Sequence, residues 1–170
     1  MSDLGSPTGN GDEQVEAPAN FHVEGLVPTG PRIVTGRFDL ADGYTYDGYV
    51  RSGGYTALRK ALAQMTPEQV HEEVKTSEVQ GRGGAGFPAG VKWGFLPAGV
   101  FPRYLVVNGD ESEPGTYKDR LLMECDPHQL IEGCLIASYA AGLSQCFLYV
   151  RGEMALAHER IAAALDEAYA

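Results

Sequence analysis

The sequence predicts an incomplete α/β domain, in which a parallel βαβ sheet is preceded by two helices and a disordered acidic tail. Two short runs of apolar and aromatic residues, Tyr104–Val107 and Phe147–Val150, are typical of strands, and the first strand is predicted to be buried. A helical pattern lies between them, so the connection is a crossover and the strands are parallel. Because two strands do not make a stable sheet and the chain stops inside a helix, we expect a fragment or a piece that needs partner strands.

The N-terminal part, residues 1–31, has five acidic residues and no basic one, with many Gly and Pro residues. Such a segment buries too little apolar surface to offset the entropy lost on ordering, so it is predicted to be disordered. Residues 32–170 then form one domain, the N-terminal part of an α/β unit. Within it, residues 32–54 show no clear periodicity and are predicted to be irregular.

Two helices are predicted before the first strand. The apolar residues of the first helix, over residues 55–65, recur three or four apart: Tyr55, Leu58, Leu62 and Met65. The second helix starts with Thr66 as a cap and Pro67 in the first helical position, and Gln69 has capping-box spacing. It runs to about Ser77.

Two more helices are predicted after the first strand. Asp126, Pro127 and Gln129 repeat the start signal of cap, proline and Gln, and this helix runs to Ala141, with Gly142 as its stop. The last helix begins near residue 153, and its apolar stripe consists of Met154, Ile161, Leu165 and Ala168.

Composition excludes several classes of function. A net charge of -10 argues against nucleic-acid binding and against electrostatic docking on anionic membranes. No apolar run approaches the roughly 18 residues that a membrane span needs. The first 24 residues contain no Lys or Arg and no apolar core, so they do not resemble a secretory signal. We therefore expect a cytoplasmic protein.

Cysteine and histidine residues suggest no metal site. Cys125, Cys134 and Cys146 have spacings that match no zinc or iron–sulfur pattern, and we expect the last two to pack as small hydrophobic residues. The histidines are isolated in sequence, so we interpret His128 and His158 as structural, the latter on an exposed helix face.

A glycine-rich loop spans residues 81–90. Gly81, Gly83 and Gly86 match the spacing of the dinucleotide fingerprint, which requires a strand before it and a helix after it. Here a predicted helix precedes the loop and Pro88 interrupts the segment after it, so a Rossmann motif is rejected. Successive glycines still allow close backbone approach to a ligand and can aim N–H groups at an anion.

The side chains near this loop suit a phosphate ligand with a flat ring. Arg82 and Lys92 supply positive charge in an otherwise acidic chain, and Phe87 and Phe95 could stack on a ring. The alternatives are a plain glycine turn and ordinary core packing, and for Trp93 we favour core packing.

A second polar loop, residues 108–115, follows the first predicted strand. Ligands of parallel α/β sheets bind beyond the carboxyl ends of strands, and this loop carries Asp110, Glu111 and Glu113, with Asn108 and Ser112 nearby. Crowded carboxylates can orient a ligand, raise one another's pKa or bind a divalent cation. A solvated acidic turn is the alternative.

Several segments occur together in a specific order: GRGGAGFP at 81–88, KW at 92–93, NGDESEPG at 108–115, KDR at 118–120, DPH at 126–128, IEG at 131–133 and YVRGE at 149–153. Over residues 37–170 the chain closely resembles the FMN-bearing, NADH-oxidising subunit of respiratory complex I. Related subunits of NAD-linked hydrogenases and formate dehydrogenases share these segments. The resemblance implies an oxidoreductase in which FMN accepts a hydride from NADH and passes electrons to iron–sulfur clusters, toward quinone.

The resemblance also implies the roles of individual residues. It places the flavin and its phosphate against Gly81, Arg82, Gly83, Gly84 and Lys92. It assigns hydrogen bonds with the flavin to Asn108, Asp110, Glu111 and Ser112. It implies that Phe87 and Phe95 stack on the adenine of NADH. Glu113 is the implied catalytic residue, beside the nicotinamide.

Family members continue beyond the equivalent of Ala170 into a region with four cysteines that bind a four-iron cluster, and these ligands are absent from this chain. The implied partners are NADH and other subunits of a redox complex, including an iron–sulfur subunit, in a peripheral arm on the cytoplasmic side of a membrane. Gly109 and Gln80 replace the family's usual Ala and Arg. The alternatives are a diaphorase subunit of a hydrogenase or formate dehydrogenase, and a truncated, non-catalytic binding or assembly module.

Overall fold

The computed structural model describes residues 31–170. The predicted tail, residues 1–31, therefore lies outside the described residues except for its last position. In chain order the elements are α1 (Tyr46–Arg51), α2 (Thr56–Gln64), α3 (Pro67–Thr76), α4 (Ala89–Trp93), β1 (Tyr104–Gly109), α5 (Lys118–Cys125), α6 (Pro127–Ala141), β2 (Gln145–Val150) and α7 (Ala155–Tyr169).

The two strands form a parallel pair, which confirms the predicted βαβ unit. The register runs from Tyr104 opposite Gln145 to Gly109 opposite Val150. Helix α6 lies in the crossover between them, and α7 follows β2 and packs against α5 and α6. The domain is therefore α/β, as predicted.

One face of this sheet is covered by helices. Leu148 and Val150 of β2 pack against a buried cluster. The cluster consists of Met123 of α5, Met154 at the N-cap of α7, and Ala157 and Ile161 within α7. Side chains alternate between the faces of a strand, so only every second residue of β1 and β2 reaches this core.

The opposite face is exposed, so the prediction that the first strand, Tyr104–Val107, is buried was wrong for half of its residues. Tyr104, Val106, Phe147 and Tyr149 lie on it, and their exposed fractions are between 47% and 68%. The apolar runs predicted strands correctly but could not show that one face lacks a covering layer in residues 31–170.

The predicted helix starts and stops are confirmed where a cap defines them. Thr66 Oγ1 accepts a hydrogen bond from Gln69 N, and Gln69 Oε1 accepts one from Thr66 N, which completes the capping box of α3. Asp126 Oδ1 accepts a hydrogen bond from Gln129 N at the start of α6. Gly142 ends α6 in the left-handed conformation, with φ of 62°.

Between residue 31 and the sheet the structure has four helices, whereas two were predicted. Helix α1 lies in the segment that was predicted to be irregular, and it is held by Thr45, whose side chain caps Gly48 N. Helices α4 and α5 were also missed, and neither has a side-chain cap from its own N-cap residue. Two residues predicted to face the core, Leu62 and Ala168, are exposed.

A buried polar cluster joins α2, α6 and α7. His128 is fully buried, and its Nδ1 lies 2.8 Å from the Tyr55 hydroxyl while its Nε2 lies 3.0 Å from Glu167 Oε2. Glu132 accepts hydrogen bonds from the backbone N–H of Tyr55 at 3.0 Å and of Leu58 at 2.9 Å. Burial, followed by the charge of Glu132, raises the pKa of Tyr55 to about 12. His128 is thus structural, and His158 is exposed on α7, both as predicted.

No helix between residues 31 and 170 has both the length and the apolar character that crossing a membrane requires.

Candidate functional site

The glycine loop is closed at its base. An antiparallel bridge joins Gln80 and Pro88, Gly81 N donates to Phe87 O at 2.9 Å, and Ala89 N donates to Val79 O at 2.8 Å. The chain between these contacts makes no regular element. The sequence prediction of a loop is therefore confirmed, and its two ends are fixed relative to each other.

Two glycines of this loop require the left-handed region, Gly84 with φ of 109° and Gly86 with φ of 61°. A Cβ atom added at Gly83 or Gly84 would meet no protein atom within 4 Å. The backbone here is therefore bordered by open space, and a ligand can approach its N–H groups closely.

The second loop begins at the carboxyl end of β1 and is shaped by its own side chains. Asp110 N donates to Asn108 Oδ1 at 2.9 Å, and the Ser112 hydroxyl donates to the Asp110 carboxylate. Glu111 has a positive φ of 46°, and its side chain is only 1% exposed. Its carboxylate turns away from solvent and toward the start of α5.

The two loops meet at one cavity of about 540 Å³. Its lining combines both loops with the segment that leads into α5: Arg82, Gly83, Gly84, Asn108, Glu111, Glu113, Thr116, Lys118 and Asp119. The cavity size falls in the range of roughly 300–1,000 Å³ that is usual for small-molecule sites. Residues that are far apart in sequence thus converge as a ligand-binding site requires.

The charges around this cavity are only partly paired. Lys118 Nζ lies 2.5 Å from Asp119 Oδ2 and 3.9 Å from Glu111 Oε1. Arg82 and Glu113 form no ion pair with any residue in 31–170. The cavity therefore offers one available cation beside the glycine backbone and one available carboxylate from the other loop.

Six of the predicted site residues line this cavity and six do not. Those outside the lining are Gly81, Phe87, Lys92, Phe95, Asp110 and Ser112. Phe87 and Phe95 still form a pair, with ring centroids 5.9 Å apart, and both side chains are exposed. Lys92 is exposed on α4.

Helix α4 has a close contact that fixes it against α3. A Cβ atom at Gly90 would lie 2.5 Å from Lys75 Cα, and His71 Nε2 lies 2.6 Å from Gly90 O. Trp93 is half-buried near His71, which agrees with packing rather than ligand stacking. This contact sets where the exposed Phe95 lies.

Three lining residues were missed as site residues: Thr116, Lys118 and Asp119. A signal was present, because a Lys–Asp–Arg sequence follows the carboxylate loop within a few residues. Its nearness to the cavity depends on Glu111, which draws the start of α5 back to the loop.

The residues present fit a phosphate-bearing ligand such as FMN: glycine backbone and Arg82 suit the phosphate, and the amide and carboxylate of the second loop suit a hydrogen-bonding ring edge. In residues 31–170, no three His, Cys, Asp or Glu side chains are grouped in a way that could hold a metal ion. These residues therefore do not fit an iron–sulfur cluster, and we assign no step to one.

Comparison with known proteins supports a flavin site. Residues 74–170 match the family described as "Nuo51 FMN-binding domain". The second F-type subunit of the NADH-quinone oxidoreductase of Rhizobium meliloti is 52% identical over 132 residues, which cover 77% of this chain and 31% of that protein. The F-type subunit of the NADH-quinone oxidoreductase of Aquifex aeolicus is 49% identical over 125 residues, which cover 74% of this chain and 29% of that protein.

Among solved structures, an NAD+-reducing NiFe-hydrogenase in the air-oxidized state is 38% identical, with a TM-score of 0.49, over 59% of this chain and 19% of that one. The chain spans 29% to 31% of the length of the two NADH-quinone oxidoreductase relatives.

Proposed function

The chain belongs to the family of Nuo51 FMN-binding domains, and from that premise we propose that its cavity is part of a site where FMN accepts a hydride from NADH. The chain then acts as the N-terminal part of an NADH dehydrogenase subunit of the quinone-linked type. When bound, FMN supplies an acceptor for a hydride and a donor of single electrons. Catalysis by residues 1–170 alone is not required by this proposal.

The observation that carries the proposal is the combination of Arg82 with the open glycine backbone. Hydrogen bonds from charged donors to phosphate are stronger than neutral ones, and Arg can make two at once. Since Arg82 has no carboxylate partner in residues 31–170, it can bind an anion without first breaking an ion pair. Gly83 and Gly84 add backbone N–H groups beside it.

The second loop binds the ring end of the flavin in this proposal. The Asn108 amide lines the cavity and can hydrogen-bond a ring edge. Asp110 and Ser112 lie outside the lining and hydrogen-bond each other, so their contact with the flavin needs a modest movement of the loop. Gly81 and Lys92 act at the edge of the phosphate side.

Glu113 is proposed to orient the nicotinamide of NADH. Hydride transfer needs the reacting atoms aligned at roughly 3–3.5 Å, so a fixed hydrogen-bond acceptor beside the ring has a large effect on rate. Its carboxylate lines the cavity and has no ion-pair partner in residues 31–170. The exposed pair of Phe87 and Phe95 is proposed to stack on the adenine.

The wider assembly follows from the same proposal. The electrons leave toward iron–sulfur clusters held by other parts of the complex, including a partner iron–sulfur subunit, and finally toward quinone. We place the protein in a peripheral arm on the cytoplasmic side of the membrane.

The test measures FMN content and NADH:ferricyanide activity in the purified protein. Arg82→Ala should weaken FMN binding at least about tenfold, because a lost charge-assisted hydrogen bond contributes roughly 1.5–3 kcal/mol. Arg59→Ala is the matched control, since Arg59 is exposed on α2 and does not line the cavity. Equal flavin content in both variants would contradict the assignment of Arg82, and a protein that binds no FMN would contradict the function.

A further inference from the structure

A second cavity, of about 670 Å³, lies between α6, β2 and α7. It shares no lining residue with the candidate flavin site. Cys134 from α6 and Cys146 from β2 both line it, among apolar neighbours such as Leu148 and Leu165. Neither thiol has a part in the proposed flavin chemistry.

The two cysteines differ in exposure, and this corrects the expectation that both are packed as small hydrophobic residues. Cys146 is exposed, and Cys134 is half-buried. Cys146 lies on the same face of β2 as Leu148, the face that points toward the helices. Its thiol is therefore open to solvent while directed toward the helix layer that contains Cys134.

The two thiols line one cavity and belong to helix α6 and strand β2, which pack against each other. Burial raises the pKa of Cys134 to about 12, with further contributions from the charge of Cys146 and from a hydrogen bond with it. Because Cys146 is exposed and Cys134 is half-buried, the pair combines an accessible nucleophile with a sheltered second thiol.

We propose that Cys134 and Cys146 form a dithiol site that a hydroperoxide oxidises to an intramolecular disulfide between α6 and β2. Cys146 is the thiol that reacts first with the peroxide, and Cys134 is the resolving thiol. The site is independent of flavin binding.

The chemistry balances in two steps. The Cys146 thiolate attacks the peroxide oxygen, an S–O bond forms, the O–O bond breaks, and the leaving hydroxide takes a proton to become water. The product is a neutral sulfenic acid. The Cys134 sulfur then attacks the Cys146 sulfur, an S–S bond forms, and hydroxide leaves with the Cys134 proton as water. Two thiols lose two electrons and two protons, and hydrogen peroxide is reduced to two waters.

Cys125 provides an internal control. It is half-buried on α5 and does not line the second cavity. Burial raises the pKa of its thiol, and the charge of Glu124 adds to this. It should therefore react slowly and stay outside the disulfide.

The experiment treats the reduced protein with hydrogen peroxide, alkylates the remaining thiols and measures the intact mass and the peptides. Cleavage after Glu124 and Glu132 separates Cys125 from the other two cysteines, and cleavage after Tyr139 then separates Cys134 from Cys146. We expect two of the three thiols to become unreactive toward the alkylating reagent and the protein mass before alkylation to fall by two hydrogen atoms. The peptides that contain Cys134 and Cys146 should stay linked until dithiothreitol is added.

Cys125→Ser should leave this product unchanged, whereas Cys134→Ser should leave Cys146 as a sulfenic acid or a more oxidised form. A linked peptide that contains Cys125, three alkylatable thiols after treatment, or a Cys134→Ser product identical to that of the unsubstituted protein would overturn the proposal. The peptide map of the unsubstituted protein decides the matter even if a variant fails to fold.

Discussion

Glu111 Oε1 accepts a hydrogen bond from the backbone N–H of Asp119 at 2.7 Å, which ties the loop after β1 to the first turn of α5. Its other oxygen accepts from the N–H of Arg120 at 2.8 Å. Tyr117, the N-cap residue of α5, offers no side-chain cap, so a carboxylate from a separate loop performs that task. Contact between Glu111 and the flavin stays a prediction, since both of its oxygens already bind the helix.

Removing this cap should destabilise the protein. Glu111→Ala is expected to lower the free energy of unfolding by about 1–2 kcal/mol, as for other lost N-caps. Glu111→Gln keeps one acceptor oxygen and should lose less. Urea unfolding measures both, with Glu113→Gln as the control, because Glu113 does not cap α5. No difference between the Glu111 and Glu113 variants would show that α5 does not depend on the cap.

The two open glycines should separate binding from stability. Gly83→Ala adds a methyl group in open space next to the cavity, so FMN content should fall while the free energy of unfolding stays unchanged. Gly84→Ala should lower both, because its φ of 109° is unfavourable for alanine by about 1–2 kcal/mol. Flavin content and urea unfolding are measured on the same samples. Normal flavin content in Gly83→Ala would support a plain glycine turn.

Gly109→Ala should destabilise the protein, although alanine is the residue usual in the family. Its Cβ atom would lie 2.8 Å from Tyr149 O and 3.0 Å from Met123 Sδ. The Met123 side chain can move, but the carbonyl belongs to β2, so we expect a loss of about 1–3 kcal/mol in the free energy of unfolding. Gly133→Ala, in open space on α6, is the control and should raise stability by up to about 1 kcal/mol. Equal stability of the two variants would mean that β1 and β2 separate easily.

Glu113 and Asp110 should affect different ligands. Glu113→Gln keeps the shape of the side chain but removes its charge, so NADH affinity and the pH dependence of NADH oxidation should change while FMN stays bound. Asp110→Ala removes the acceptor of the Ser112 hydroxyl and should lower FMN content. Flavin content and NADH oxidation are measured separately. The reverse pattern would show that the proposed roles are exchanged.

Tyr55 should make stability depend on alkaline pH. Its pKa is 10.0 when unperturbed and about 12 in the folded protein, so its contribution is complete below pH 10 and is lost as the pH rises toward about 12. Tyr55→Phe should be less stable at neutral pH but should lose less stability over that interval. Tyr169→Phe, at an 88% exposed position, is the control and should keep the unsubstituted slope. Urea unfolding at a series of pH values gives the slopes, and identical slopes for all three proteins would contradict the role of Tyr55.

Sequence patterns were sufficient wherever structure is decided by a few neighbouring residues. The capping box of α3, the Asp126 cap and the Gly142 stop of α6 were all predicted from local chemistry. The two loops were also found, because glycine and clustered carboxylates stand out in a sequence.

The features that sequence patterns missed depend on contacts across the chain. Helix α5 begins where Glu111 reaches it from another loop, and helix α4 is fixed by the contact of Gly90 with Lys75. The cavity needs Lys118 beside the carboxylate loop, which periodicity cannot show. The exposure of Tyr104 and Phe147 depends on which face of the sheet is covered.

The bridge between Gln80 and Pro88 has a thermodynamic consequence for whatever anion the glycine loop binds. Because the two ends of the loop are already joined, the entropy of loop closure is lost during folding and not on binding. The ligand therefore has to order only the residues between Gln80 and Pro88. Calorimetry of binding should therefore show a smaller unfavourable entropy than a free glycine-rich segment would give. The glycines keep the tip adaptable, while the bridge keeps that adaptability confined to a few residues.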